Sequence, residues 1–92
     1  MKLPLKLAAL KADYLTACAP FRALYAELPP ELTRDARLAR LAGTPEAAAV
    51  RDAGATYADA LEAWLATPAG QRTPRNAAKT LRFDATMARR LA

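Results

Sequence analysis

The feature that most constrains the fold of this chain is its near lack of β-branched aliphatic residues. The 92 residues include no isoleucine and one valine, Val50, whereas alanine occurs 25 times and leucine 14 times. Strands are built chiefly from β-branched and aromatic side chains, and alanine and leucine are among the strongest helix formers. We therefore expect an all-α fold, and the length indicates a single helical domain over residues 1–92.

Proline and glycine divide the chain into segments with helical apolar spacing. Pro29-Pro30, Gly43 and Thr67–Gly70 mark three breaks, since the residue before a proline disfavours helix and glycine commonly follows a helix end. The periodicity between these breaks predicts about four helices, over residues 5–28, 30–42, 45–66 and 74–91. Short connections of this kind favour an antiparallel or orthogonal bundle.

Two residues interrupt the predicted helices without ending their apolar phase. Because the phase continues through Pro20 and Gly54, we expect a kinked first helix and a third helix with a glycine notch. The alternative is a break at each point, with a capping box at Thr56 restarting the third helix. Thr44-Pro45 and Thr73-Pro74 each offer an N-cap hydroxyl followed by a proline at the first helical position.

One face of each of the first three helices carries the large apolar side chains and is the predicted core. In the first helix these residues are Leu7, Leu10, Tyr14, Ala17, Phe21, Leu24 and Leu28. In the second they are Leu32, Leu38 and Leu41, and in the third Val50, Tyr57, Leu61, Trp64 and Leu65.

The composition also limits the chemistry. Histidine and serine are absent, which removes the commonest general base, the commonest metal ligand and the usual hydroxyl nucleophile. We therefore expect no enzymatic activity, no metal or other cofactor and no small-molecule substrate. The lone thiol of Cys18 fits a reducing compartment and is expected to pack as a small buried hydrophobe. No apolar run approaches the length of a bilayer span, so we expect a cytoplasmic protein with no membrane partner.

Positive charge is concentrated in the last predicted helix. The chain carries a formal net charge of +5; residues 67–92 hold six basic and one acidic side chain, whereas residues 44–66 hold one basic and four acidic. At about 100° per residue, five cations of the last helix fall within an arc of roughly 100°. They are Arg75, Lys79, Arg82, Arg89 and Arg90. Arg72 precedes this stripe and Asn76 borders it.

A basic stripe of this kind suits a phosphate backbone or an acidic protein surface. We predict a small non-catalytic binding protein that docks its last helix on nucleic acid or an acidic protein, as an adaptor, inhibitor or accessory factor of bacterial, phage or mobile-element type. The predicted contacts are Arg72, Arg75, Asn76, Lys79, Arg82, Arg89 and Arg90. The plainer interpretation is a solvated helix face.

A self-associating assembly subunit is the alternative from a different class. Its acidic third helix would pair with the basic last helix, within one chain or between copies of a homo-oligomer. The acidic residues are Glu46, Asp52, Asp59 and Glu62. Phe83, Met87 and Tyr25 would form the apolar seam of that interface.

The stretch Leu38-Ala39-Arg40-Leu41-Ala42-Gly43, followed by Thr44-Pro45, resembles the helix-turn-helix of bacterial repressors. The resemblance implies a corner between the second and third helices. The family places base-reading polar side chains at the start of its second helix, whereas this chain has Glu46 followed by three alanines. We therefore expect a structural corner and no sequence-specific reading of DNA through it.

A second basic patch is predicted on the second helix. Arg34, Arg37 and Arg40 recur every third residue, and Asp35 interrupts them. Because the signs are mixed, we expect an ordinary solvated surface there.

Overall fold

Two long helices account for about half of this all-α structure. A computed structural model describes residues 3–90, and within that range the chain forms five helices and no strand. They are α1 (Leu5–Glu27), α2 (Arg34–Leu41), α3 (Pro45–Leu65), α4 (Pro68–Gln71) and α5 (Arg75–Ala88). The all-α prediction is confirmed, and the count of about four misses the four-residue α4. No helix within the described range combines the length and apolar character needed to cross a membrane.

Helices α1 and α3 run antiparallel along the long axis of a molecule that measures 47 × 21 × 17 Å. Near one end, Leu7 of α1 shares a buried cluster with Leu61 of α3. Near the other, Phe21 of α1 shares a second cluster with Val50 of α3. Helix α5 completes the first cluster, and Leu41 of α2 completes the second. The core is therefore divided into two parts joined by the α1–α3 pair.

Neither Pro20 nor Gly54 breaks its helix, as the continuous apolar phase predicts. Pro20 lies inside α1 and Gly54 inside α3. The alternative of a restart at Thr56 does not occur, because the Thr56 hydroxyl donates to the Asp52 carbonyl within α3 at 2.9 Å.

Gly54 is needed where the end of α5 meets α3. A Cβ atom at this position would overlap the carbonyl oxygen of Ala88 and would lie 3.2 Å from Cε1 of Tyr14. The missing side chain therefore lets the backbone of α5 approach the backbone of α3, with the Tyr14 ring closing the third side.

Threonine side chains fix most of the helix starts. Thr33, Thr44 and Thr67 each accept a hydrogen bond from the backbone N–H three residues ahead, at 3.1–3.2 Å. The second helix therefore begins after Thr33 rather than at residue 30, and Thr67 begins α4 where the sequence predicts only a break. The predicted cap at Thr73 is wrong: its N–H still bonds the Gly70 carbonyl at the end of α4, and Pro74 occupies the N-cap of α5.

The corner predicted from the helix-turn-helix resemblance is present between α2 and α3. The Thr44 hydroxyl donates to the Leu41 carbonyl at 2.7 Å and accepts from the Ala47 N–H at 3.2 Å. Ala47 is fully buried at this corner, whereas Ala48 and Ala49 are exposed. Core packing therefore explains the small residue at Ala47.

The predicted core residues are all buried or half-buried, and Cys18 is buried as expected. The Tyr57 ring stacks on the Tyr14 ring with 6.3 Å between centroids. Within residues 3–90 the buried Tyr57 hydroxyl has no hydrogen-bond partner. Burial raises the pKa of this phenol above its ordinary value of 10.0, and the Asp84 carboxylate adds to the rise.

We predict that Gly54→Ala destabilises the fold by about 2 kcal/mol, although alanine is the better helix former by about 1 kcal/mol. The added methyl group has to push α5 away from α3. Gly43→Ala is the matched control, because a Cβ atom added at Gly43 would meet no neighbour within 4 Å and its effect should be neutral or slightly stabilising. Urea denaturation of both variants checks this, and equal stabilities would contradict the close contact at Gly54.

Tyr57→Phe is expected to stabilise the protein at neutral pH by about 1–3 kcal/mol, because it removes a buried hydroxyl that has no partner in the described chain. Because the pKa of Tyr57 is raised in the folded state, the Tyr57 phenol ionises in the unfolded chain at a lower pH than in the folded protein. Wild type therefore loses stability as pH rises above 10.0. The variant should therefore lose less stability than wild type between neutral pH and strongly alkaline pH. Denaturation at both pH values, with half-buried Tyr25→Phe as control, tests the assignment.

Candidate anion-binding face

Helix α5 presents two chemically different sides. Its buried residues are Ala78, Leu81, Ala85 and Ala88. Arg75, Lys79 and Arg82 are exposed along one flank of the helix, and exposed Arg72 lies in the turn that precedes it. We call these four cations the basic face. Asn76 is also exposed beside them, and Asp84 is half-buried on the other side of the helix.

The cations of the basic face have no close counterion in the described part of the chain. Within residues 3–90, no carboxylate lies within 4 Å of Arg72, Arg75, Lys79 or Arg82. Helix α5 therefore exposes a set of positive charges that no neighbouring helix neutralises by direct pairing.

Arg75 and Arg82 line a common hollow at the junction of α4 and α5, with a volume of about 300 Å³. We call it the α4–α5 hollow. Gln71 and Thr73, whose side chains carry an amide and a hydroxyl, also line it, together with Leu65, Gly70 and Ala78. Two guanidinium groups with an amide and a hydroxyl offer several donors for the oxygens of one phosphate or carboxylate.

The start of α5 adds backbone donors beside this hollow. Within residues 3–90 no side chain caps the first turn of α5, so the N–H groups of the first turn keep free donor capacity. The N-terminal end of a helix also carries partial positive charge. The backbone and the side chains therefore favour an anion at the same place.

Arg89 is not part of the basic face, although its spacing predicts it there. Helix α5 ends at Ala88, and the Arg89 guanidinium turns to α3, where it lies 2.7 Å from Asp59 and 3.0 Å from Glu62. Hydrogen bonds to Asp59 and then Glu62 raise the pKa of Arg89. The pairing of acidic and basic helices within one chain therefore occurs at this residue. Arg90 is exposed beyond the helix end, and Leu91 lies outside the described residues.

Arg37 is also engaged inside the protein. Its guanidinium donates to the backbone carbonyls of Tyr25, Pro29 and Leu32 at 3.2–3.4 Å, and it lies 5.1 Å from the centroid of the Tyr25 ring. Arg37 thus holds the connection between α1 and α2. The expected mixed surface is seen beside it, where Arg34 lies 3.9 Å from Asp35.

The seam suggested for self-association is not contiguous. Phe83 and Met87 border the same hollow as Tyr14 and Leu15 of α1. Tyr25 lies nearer the C-terminal end of α1, where it packs on Phe21 and under Arg37. The structure therefore brings Leu15, and not Tyr25, to the two apolar residues of α5.

The hollow between α4 and α5 also shows which site residues the sequence did not reveal. Gln71 and Thr73 carry no charge; Gln71 follows a predicted break, and Thr73 is predicted only as a helix cap. The cap signal Thr67-Pro68 was the one indication that this segment turns tightly enough to bring them beside Arg75.

No protein-family model, curated protein or solved structure matches this chain. Function is therefore inferred from the chemistry of the site itself.

Arg89→Glu is predicted to lower the melting temperature more than Arg90→Glu, although both change the net charge equally. Only the first places a new carboxylate against Asp59 and Glu62. Because these charges are exposed, added salt should shrink the difference. Thermal unfolding of both variants at low and high salt measures this difference in melting temperature. Identical melting curves would mean that the ion pairs of Arg89 with Asp59 and Glu62 contribute nothing to stability.

Proposed function

We propose that this chain is a small non-catalytic binding protein that docks the basic face on a polyanion, either nucleic acid or an acidic protein surface. The observation that carries the proposal is the α4–α5 hollow. There Arg75 and Arg82 line one hollow with Gln71 and Thr73, beside the uncapped first turn of α5. Side-chain cations and backbone donors at one place are the usual means of holding phosphate or carboxylate oxygens.

The remaining cations extend the contact along α5. Arg72 lies before the hollow, and Lys79 is one turn beyond Arg75. A linear polyanion running along the helix would meet these charges in succession. Arg90 lies beyond the helix end and makes a supporting contact with the polyanion. Arg89 pairs with Asp59 and Glu62 and so attaches the end of α5 to α3.

The proposed binding has a strong dependence on salt. A polyanion releases counterions when cations of the protein neutralise its charges, so affinity falls as salt concentration rises. A labelled DNA oligonucleotide and labelled poly-L-glutamate represent the two classes of partner. Fluorescence anisotropy measures the affinity for each at several salt concentrations.

Charge reversal in the hollow provides the test. Arg75→Glu with Arg82→Glu should abolish binding at moderate salt, and neutral Gln at both positions should reduce the slope of log affinity against log salt by about 2. The matched control is Arg22→Glu with Arg40→Glu, which changes net charge equally at two exposed arginines outside the basic face. It should retain most of the affinity.

Two results would contradict the proposal. The first is wild-type affinity in the Arg75/Arg82 variant, and the second is an equal loss in the Arg22/Arg40 control, which would indicate attraction by net charge alone. Circular dichroism of each variant confirms that the helices are retained.

A further inference from the structure

Three exposed apolar side chains lie together beside the basic face. Phe83 is 62% exposed, Leu15 50% and Met87 37%, and all three border one shallow hollow of about 170 Å³ between α1 and α5. The sequence suggests Phe83 for an apolar seam between copies, and within the single chain the structure leaves this side chain largely in solvent. We call these three residues the Phe83 platform.

The charged residues beside this ring are two lysines and one aspartate. Lys11 of α1 lines the same hollow, and exposed Lys79 stands one helical turn before Phe83, where i and i+4 side chains are neighbours. Asp84 lines the hollow as well, and both Lys11 and Asp84 are half-buried. The ring of Phe83 is therefore accessible next to two lysines.

The Phe83 platform and the α4–α5 hollow lie along the same helix. Arg75 and Phe83 are separated by roughly 12 Å of helical rise, and Lys79 stands between them. A ligand of a few linked units can therefore contact the guanidinium groups with one unit and the aromatic ring with another.

Cations in line with an exposed aromatic ring suit a strand whose bases are unpaired. Its phosphates contact the cations, and a base stacks on the ring whatever its sequence. Duplex DNA offers the phosphates but keeps the faces of its bases inside the helix, so the ring would gain little from it. We infer that the polyanion bound by this chain is a single-stranded nucleic acid and that Phe83 stacks on one of its bases. This inference rests on the proposed function.

A second copy of the chain is the less suitable occupant of the platform. Each copy carries a formal net charge of +5, so two copies repel each other as they approach. Like charges oppose a contact between copies, whereas the phosphates of a nucleic acid neutralise them.

The experiment compares a labelled single-stranded oligonucleotide of mixed sequence with the duplex of the same length, by fluorescence anisotropy at fixed salt. Phe83→Ala removes the ring, Phe83→Leu keeps an apolar side chain without a π face, and Phe83→Tyr keeps the π face. Leu5→Ala is the matched control, because Leu5 is 90% exposed and lies outside the platform. Both positions changed are exposed, and circular dichroism verifies that each variant folds.

The expected result is a preference of wild type for the single strand. Phe83→Ala and Phe83→Leu should each weaken single-strand binding by about tenfold and leave duplex binding unchanged. Phe83→Tyr and Leu5→Ala should bind as wild type does.

Several outcomes overturn the inference while the proposed function survives. One is that Phe83→Ala weakens binding of the single strand and of the duplex equally. Others are that Phe83→Leu keeps full affinity for the single strand, or that wild type binds poly-L-glutamate and neither oligonucleotide. In each case the proposed function survives if the Arg75/Arg82 variant still loses binding. A dimer detected by light scattering that Phe83→Ala converts to monomer also overturns it, because the platform is then a contact between copies. Wild-type binding by the Arg75/Arg82 variant overturns both proposals together.

Discussion

The close approach of α5 to α3 at Gly54 determines what the rest of the molecule presents to solvent. Helix α3 is the element on which α1, α4 and α5 all pack, and its buried surface includes Ala47, Gly54 and Ala58, whose small size permits short distances between helix axes. With Ala88 held against Gly54, the rotation of α5 about its own axis is fixed. Its alanines then face inward, and both the cations and Phe83 face outward. The basic face is thus a consequence of backbone contact on the other side of the same helix.

Much of this fold follows from short-range patterns in the sequence. The spacing of Leu7 to Leu28 and of Val50 to Leu65 predicts α1 and α3 almost to their ends, because a helix that buries one face repeats its apolar residues every three or four positions. Helix α4 has four residues, too few to show a period. The Gly54–Ala88 contact joins residues far apart in the chain, and no local pattern reveals which backbone a glycine will meet.

The candidate site was predictable to the extent that it lies within a regular helix. Helical spacing brings Arg75, Lys79 and Arg82 together correctly. The same spacing places Arg89 in the stripe, although its guanidinium, at the C-cap of α5, pairs with two carboxylates of α3. Gln71 and Thr73 join the site through the turn after α4, and the exposure of Phe83 depends on how α1 lies beside α5. These are relations between elements, which single-helix periodicity does not contain.

The uneven burial of the helices has a consequence for dynamics. Helix α5 buries one leucine and three alanines, whereas α3 buries Val50, Tyr57, Leu61 and Leu65 in addition to its small residues. Since the free energy gained on burial grows with apolar area, α5 is attached more weakly than the α1–α3 pair, and its amide protons should exchange with solvent through local opening that leaves α1 and α3 intact. A ligand that binds only the docked arrangement of α4 and α5 suppresses that opening by mass action. Slower amide exchange in α5 is therefore the expected sign that a ligand is bound to the basic face.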